Sequence, residues 1–185
     1  MSVPKWVYRF RGYLMTPPLI FAIFCFRYEI EAEFIIWPFG ICLFIFGVAL
    51  RIWAQQHLHY RLRVHKRLTM TGPYSFVRNP IYIGNVLICL GATVMSELLW
   101  LTPITLIYCW GIYSLAIRYE EAHLLDKYGE SYRKYMEEVP RWIPKVLHPQ
   151  NIGINNEYLR QSIVAEIHCL LLVLPFILKE IINLS

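Results

Sequence analysis

The sequence predicts an all-α polytopic membrane protein with about five transmembrane helices. Hydrophobic residues make up 57% of the 185 residues, charged residues only 17%, and mean hydropathy is +0.40. That is too apolar for a typical soluble domain. Five apolar stretches stand out, at residues 13–26, 34–50, 81–96, 98–117 and 163–178. Between them the Lys and Arg counts run 3, 1, 6, 0, 7, 1, the alternation that the positive-inside rule requires. The N-terminus is therefore expected in the cytoplasm and the C-terminus on the far side.

The first stretch carries Pro17 and Pro18 and lacks a small-x-small exit, so it reads as a span rather than a cleavable signal. Only the fourth reaches the roughly 20 residues of an ideal span. The others extend into aromatic or snorkelling flanks. The third and fourth form a tight hairpin joined near Ser96 and Glu97, and a basic loop, residues 55–71, precedes it. After the hairpin, residues 120–128 continue the fourth helix and Gly129 is a plausible stop. Residues 131–138 form a short helix with a Glu130–Lys134 pair. The segment VPRWIP, residues 139–144, breaks that helix and offers Trp142 as an interface anchor. Polar residues 148–157 read as a loop before the last span, in which Glu166 and His168 are functional candidates by their place in an apolar run. The whole is one membrane domain: a helical hairpin (1–50), a core (51–145), and a loop with a C-terminal span (146–185). Cysteines 25, 42, 89, 109 and 169 all lie in apolar runs. They read as small hydrophobic residues rather than a disulfide framework.

Two polar clusters stand at the cytoplasmic ends of the central hairpin. In GPYSFVRNPIYIG, residues 72–84, Asn79 is a strong N-cap and Pro80 is favoured at the first helical position. The helix therefore starts at Pro80, and its free N–H groups and positive dipole end attract an anion. The turn Gly72-Pro73-Tyr74 folds the basic loop back over that end, so that Tyr74, Arg78 and Tyr82 line one pocket. The second cluster, RYEE at 118–121, ends the fourth span. One of Glu120 and Glu121 faces the hairpin and the other faces water, and Arg118 lies three residues from Glu121. His57 and His59 sit two apart without a nearby partner, so no metal site is expected. No strand precedes a glycine-rich turn, which excludes a Rossmann cofactor site. The basic loop lacks interleaved aromatics, and membrane lipid is a simpler partner for it than nucleic acid.

The segments LTMTGPYSFVRNPIYIG and RYEEAHLLDKYGESYRKYMEEVPRWIP together resemble the isoprenylcysteine carboxyl methyltransferase family and its phospholipid methyltransferase relatives. The resemblance covers residues 50–145. It implies an integral membrane enzyme that uses S-adenosylmethionine, bound under cytoplasmic loops, to methylate a lipid-like or prenylated amphiphile. Carried over by position, Leu68, Thr69, Tyr74, Asn79, Pro80, Ile81, Tyr82 and Glu120 would surround the cofactor. Arg78, Asn79 and Glu121 are the candidate catalytic residues. The family usually has His where this chain has Asn79, which can cap and hydrogen-bond but cannot titrate near neutrality. Ala116 stands where prenylcysteine-specific members carry Arg, which weakens the prenylcysteine reading. The alternatives are an NADPH-dependent sterol-type membrane reductase and a non-catalytic protein that kept the fold. The expected location is the bacterial inner membrane or the endoplasmic reticulum, with the site facing the cytoplasm.

Overall fold

The computed structural model describes residues 5–27, 32–60, 68–144 and 156–183. Among the described residues the chain is all-α. The helices are α1 (Lys5–Arg9), α2 (Thr16–Phe24), α3 (Glu33–Tyr60), α4 (Pro80–Met95), α5 (Leu101–Tyr128), α6 (Glu130–Glu138), α7 (Asn156–Leu171) and α8 (Leu174–Asn183). A 3-10 turn, Tyr13–Met15, leads into α2, and another, Gly72–Ser75, precedes α4.

Each stretch singled out by apolarity contains a helix, but the boundaries moved. Pro17 and Pro18 occupy the first turn of α2 and begin that helix rather than break it. Helix α3 runs through Tyr60, so the first part of the expected basic loop is helical. Residues 61–67, and the expected loop up to residue 155, lie outside the described residues. The final stretch is two helices, because Pro175 opens α8 and cannot continue the bond pattern of α7. The intervening Leu172 and Val173 amides bond three residues back, to Cys169 and Leu170.

Two runs, Glu33–Leu58 and Tyr158–Ile182, are long and apolar enough to cross a membrane, while Tyr13–Phe24 and Pro80–Met95 are shorter apolar helices. The fourth stretch, expected to be closest to an ideal span, is not among the two, because the charged Arg118–Glu121 cluster follows its apolar part directly within α5. Outward faces are strongly apolar. Phe34, Ile35 and Phe46 on α3, Ile107 and Trp110 on α5, and Leu171 and Ile182 on α7–α8 are each more than half exposed. Such a belt on an all-α fold is that of a membrane-associated protein.

The tightest packing is between antiparallel α3 and α4, and glycine makes it tight. A Cβ on Gly91 would lie 2.7 Å from the Gly40 carbonyl oxygen, and one on Gly47 would lie 2.7 Å from the Gly84 carbonyl oxygen. The two pairs sit seven residues apart on each helix, two turns along one face. Small residues let helix backbones approach this closely inside a membrane. At the opposite end from the polar clusters, Lys179 on α8 donates to the Ala22 carbonyl at 3.1 Å and the Ser96 carbonyl at 3.0 Å. This ties α8 to the C-terminal ends of α2 and α4. The carboxylates of Glu33, Glu97 and Glu180 gather at that same end, within 4.8 Å of one another.

Candidate functional site

Asn79 sits at the N-cap position of α4 and Pro80 at its start. The expected side-chain cap does not form. Asn79 has φ −130° and ψ 56°, and its side chain makes no capping hydrogen bond. Instead its Nδ2 is buried without a partner. The preceding segment is pinned from three sides. Gly72 takes φ +61°, a left-handed conformation that glycine tolerates, and the His57 ring packs where its Cβ would be. His57 Nδ1 lies 3.1 Å from Thr71 Oγ1. Tyr135 on α6 donates to the Tyr74 carbonyl at 2.7 Å, and the Arg78 amide donates to the Pro140 carbonyl at 2.9 Å. The helix stop at Gly129, φ +54°, turns the chain so that α6 reaches back to this loop.

These elements enclose a cavity of about 640 Å³, within the ~300–1,000 Å³ typical of small-molecule sites. Of the residues singled out from sequence, Leu68, Thr69, Tyr74, Arg78, Asn79, Ile81, Tyr82 and Glu120 line it. Pro80 is buried and fixes the helix start without lining the cavity. Tyr82 donates to Glu120 Oε2 at 2.9 Å, joining the two clusters across the central hairpin. Burial raises the Glu120 carboxyl above the ordinary glutamate range, while the Tyr82 hydrogen bond and Arg11 pull it back. Burial likewise pushes the Tyr74 phenol well up, with Glu120 adding to the effect. Tyr74 therefore remains a neutral donor with an intact π face at any physiological pH.

Glu121 lies elsewhere. It points away from the cavity and is clamped by two arginines that sequence proximity did not indicate. Arg141 bonds both of its oxygens, Nε to Oε1 at 3.1 Å and Nη2 to Oε2, and Arg78 Nη1 lies 3.4 Å from Oε1. Arg118, expected beside it, is exposed on the outer side of α5. Glu130 pairs with Arg133 at 3.7 Å rather than with Lys134.

The cavity also has walls that the motifs did not reveal. Tyr8 and Arg11 close it from the N-terminal segment, and Arg51, Asn85 and Tyr113 form its deeper part. Arg51 makes a bidentate pair with Glu166 of α7, at 2.8 and 2.9 Å, and also bonds Asn85. Glu166, singled out for its place in an apolar run, is thus the buried counter-ion of Arg51. Tyr128, Tyr132 and Tyr135 complete the aromatic lining. Their spacing in YGESYRKY was the available signal.

The lining is suited to a ligand with both charged and aromatic parts. Thr69 Oγ1, Arg78 Nε and Asn79 Nδ2 are buried polar atoms without partners, and buried polar atoms in native proteins are nearly always satisfied. The sequence pattern of the phospholipid methyltransferase family matches residues 35–131, from the start of α3 into α6. The chain belongs to the phospholipid methyltransferase family. Within that family's wider kin, it is 33% identical over 79 residues to a protein-S-isoprenylcysteine O-methyltransferase of Schizosaccharomyces pombe, covering 43% of this chain and 34% of the relative. It is 30% identical over 113 residues to the cobalt-zinc-cadmium resistance protein CzcN of Cupriavidus metallidurans, covering 59% and 51%. A methanethiol S-methyltransferase of Bradyrhizobium diazoefficiens is 38% identical over 72 residues, covering 38% and 24%. The chain thus spans between about a quarter and about half of the length of these relatives. No solved structure matches it.

Proposed function

We propose that this protein is a multi-pass membrane methyltransferase that draws S-adenosylmethionine from the cytoplasm and methylates an amphiphile entering from the bilayer. The observation that carries this reading is one cavity lined jointly by the start of α4 and by Glu120, with unpartnered buried donors in its wall. Family membership supplies the reaction class. When bound, the cofactor supplies a methyl group on a sulfonium already activated for displacement.

The protein's work is to bind, orient and exclude water. Arg78, Asn79 Nδ2 and the first N–H groups of α4 hold the amino-acid carboxylate. Glu120 holds the ammonium or the ribose hydroxyls, with Tyr82 fixing its rotamer. Tyr74 and its neighbours offer π faces to the adenine or the sulfonium, and Leu68 and Ile81 supply apolar wall. Thr69 adds a hydroxyl. Pro80 sets where α4 starts. Glu121 acts as a positioning residue: it neutralises and aims Arg78 and locks α5 to the segment after α6. Asn79 does not titrate, so no base is assigned to that position.

The fold supports five passes, formed by α2, α3, α4, α5 and α7–α8 in a single membrane domain. The cavity, with Arg9, Arg11, Arg51 and Arg78 in its lining, sits at one end, and the Glu33–Glu97–Glu180 cluster at the other. This agrees with the alternation of charge along the chain and with a cytoplasmic site. The test is incubation of the purified protein with methyl-labelled cofactor and a total lipid extract, followed by mass spectrometry. A labelled amphiphile is expected; label found only in water-soluble products would contradict a bilayer-derived acceptor.

A further inference from the structure

We propose that the groove on the outer face of α5, capped by Arg118 and Arg141, seats one anionic phospholipid of the surrounding bilayer, with its phosphate on the two guanidiniums and an acyl chain laid along the helix. The inference goes beyond methyl transfer. It rests on the apolar outer face lying in a membrane and assigns no acceptor to the cavity.

The sequence lays the groove out. Ile107, Gly111, Ser114 and Arg118 recur three or four residues apart, so they share one face of α5. Tyr113, Glu120 and Leu124, which line the cavity, face the other way, and the two hollows share none of their described lining residues. Gly111 makes the floor. A Cβ added there would have nothing within 4 Å, so the hollow, of about 600 Å³, opens where the helix carries no side chain. Its walls are apolar and open to the outside: Ile107 is 69% exposed and Trp110 is 58% exposed. Arg118 stands beyond Ile107 by roughly 16 Å along the helix axis, at ~1.5 Å per residue, which gives room for a long stretch of acyl chain. At the arginine end Trp142 lines the groove and packs against the central core, an aromatic of the kind that sits at headgroup level.

Charge decides the occupant. The described lining holds two arginines and no acidic residue. Arg118 enters none of the ion pairs among the described residues. Arg141 is committed in part: its Nε and Nη2 hold Glu121, its Nη1 makes none of the described hydrogen bonds, and its side chain is 31% exposed. Glu121 is itself shared with Arg78, so this corner sets three guanidiniums against one carboxylate. A phosphodiester supplies the missing negative charge, and a guanidinium can donate to it through parallel N–H groups. Basic pockets at a membrane surface take anionic headgroups in this way. A choline headgroup would bring an ammonium for which the lining has no carboxylate, so the groove prefers a phospholipid of net negative charge. Ser114, one turn before Arg118, offers a hydroxyl at the depth of the glycerol esters.

The test titrates the full chain in a mild detergent with phosphatidylglycerol, phosphatidylcholine or inorganic phosphate, and native mass spectrometry reads what the protein retains. One phosphatidylglycerol is expected to bind about tenfold or more tightly than phosphatidylcholine, a difference of ~1.4 kcal/mol, and inorganic phosphate is expected not to displace it. Arg118→Ala should lower phosphatidylglycerol affinity about tenfold and leave phosphatidylcholine within about twofold, with Arg118→Lys restoring part of the preference. Gly111→Leu keeps both arginines and fills the floor, and it should weaken phosphatidylglycerol by a similar factor. Equal retention of the two lipids, or a preference untouched by Arg118→Ala or by Gly111→Leu, would overturn the proposal. Displacement by inorganic phosphate would also overturn it, leaving an anion site without an acyl groove. So would a dimer that Arg118→Ala dissociates with no lipid preference, which would assign this face to a second copy of the chain.

Discussion

Glu120 and Glu121 are adjacent in sequence and opposite in circumstance. Glu120 faces the cavity with its carboxyl raised by burial, so the folded state favours its protonated form. Its contribution to stability is full below the ordinary glutamate pKa of about 4.3 and is lost as pH rises through the raised value. Glu120→Gln, fixed in the neutral form, is expected to raise the thermal midpoint of the ligand-free protein at pH 8 and leave it nearly unchanged at pH 4. A lower midpoint than wild type at pH 8 would refute this account of the site. Glu121 is only 8% exposed and compensates Arg78 and Arg141. Glu121→Ala leaves two guanidiniums without their counter-ion, at a cost of about 2–3 kcal/mol once the partial exposure of Arg141 is discounted. Denaturation of the variant in detergent measures it, and a loss under about 0.5 kcal/mol, the range of ordinary surface changes, would show that the clamp is dispensable. The local signals at this scale were readable: a proline after asparagine, a turn glycine, paired glutamates. Asn79 marked the helix start correctly, but a capping rule does not see that its side chain is not used as a cap. Nor does spacing along one helix see Arg78 and Arg141, which reach Glu121 from 43 and 20 residues away in sequence.

At the scale of elements, α3 and α4 depend on two glycine pairs whose neighbours are backbone atoms. A methyl group at Gly91 would meet the Gly40 oxygen and the Phe44 amide nitrogen, each at 2.7 Å, and neither can swing aside. Gly91→Ala is expected to cost about 1–3 kcal/mol and to lower the thermal midpoint. Gly111→Ala, where nothing lies within 4 Å of the added Cβ, should be neutral or stabilising. Equal effects at both positions would mean that the close approach is not what holds the pair. The helices were legible in the sequence because apolar runs of this length have few other solutions in a membrane. The seam between them was also written there, as Gly40 and Gly47 against Gly84 and Gly91, but such a spacing is informative only once the two helices are known to be partners. Tyr8, Arg11 and Arg51 were hidden for the same reason. They belong to segments read as a tail and as the start of the basic cytoplasmic stretch, and only tertiary packing brings them to the cavity.

For the whole molecule, the polar cavity and the acidic cluster occupy opposite ends of one helical body. In the proposed arrangement of five passes with a cytoplasmic site, Ser131 and Leu99 are reachable from opposite sides. In a variant freed of native cysteines and expressed in a bacterial inner membrane, Leu99→Cys should react with a maleimide that does not cross that membrane, and Ser131→Cys only after permeabilisation. The reverse pattern would invert the topology, and labelling of both would break it. The central claim is that the cavity between the start of α4 and Glu120 holds S-adenosylmethionine. Titration calorimetry of the purified protein with that cofactor tests it most directly. Saturable one-site binding by the wild type and a loss of about tenfold or more in affinity for Glu120→Ala, the removal of ~1.4 kcal/mol, is the predicted result. No binding by the wild type, or retention of NADPH in its place, would contradict it.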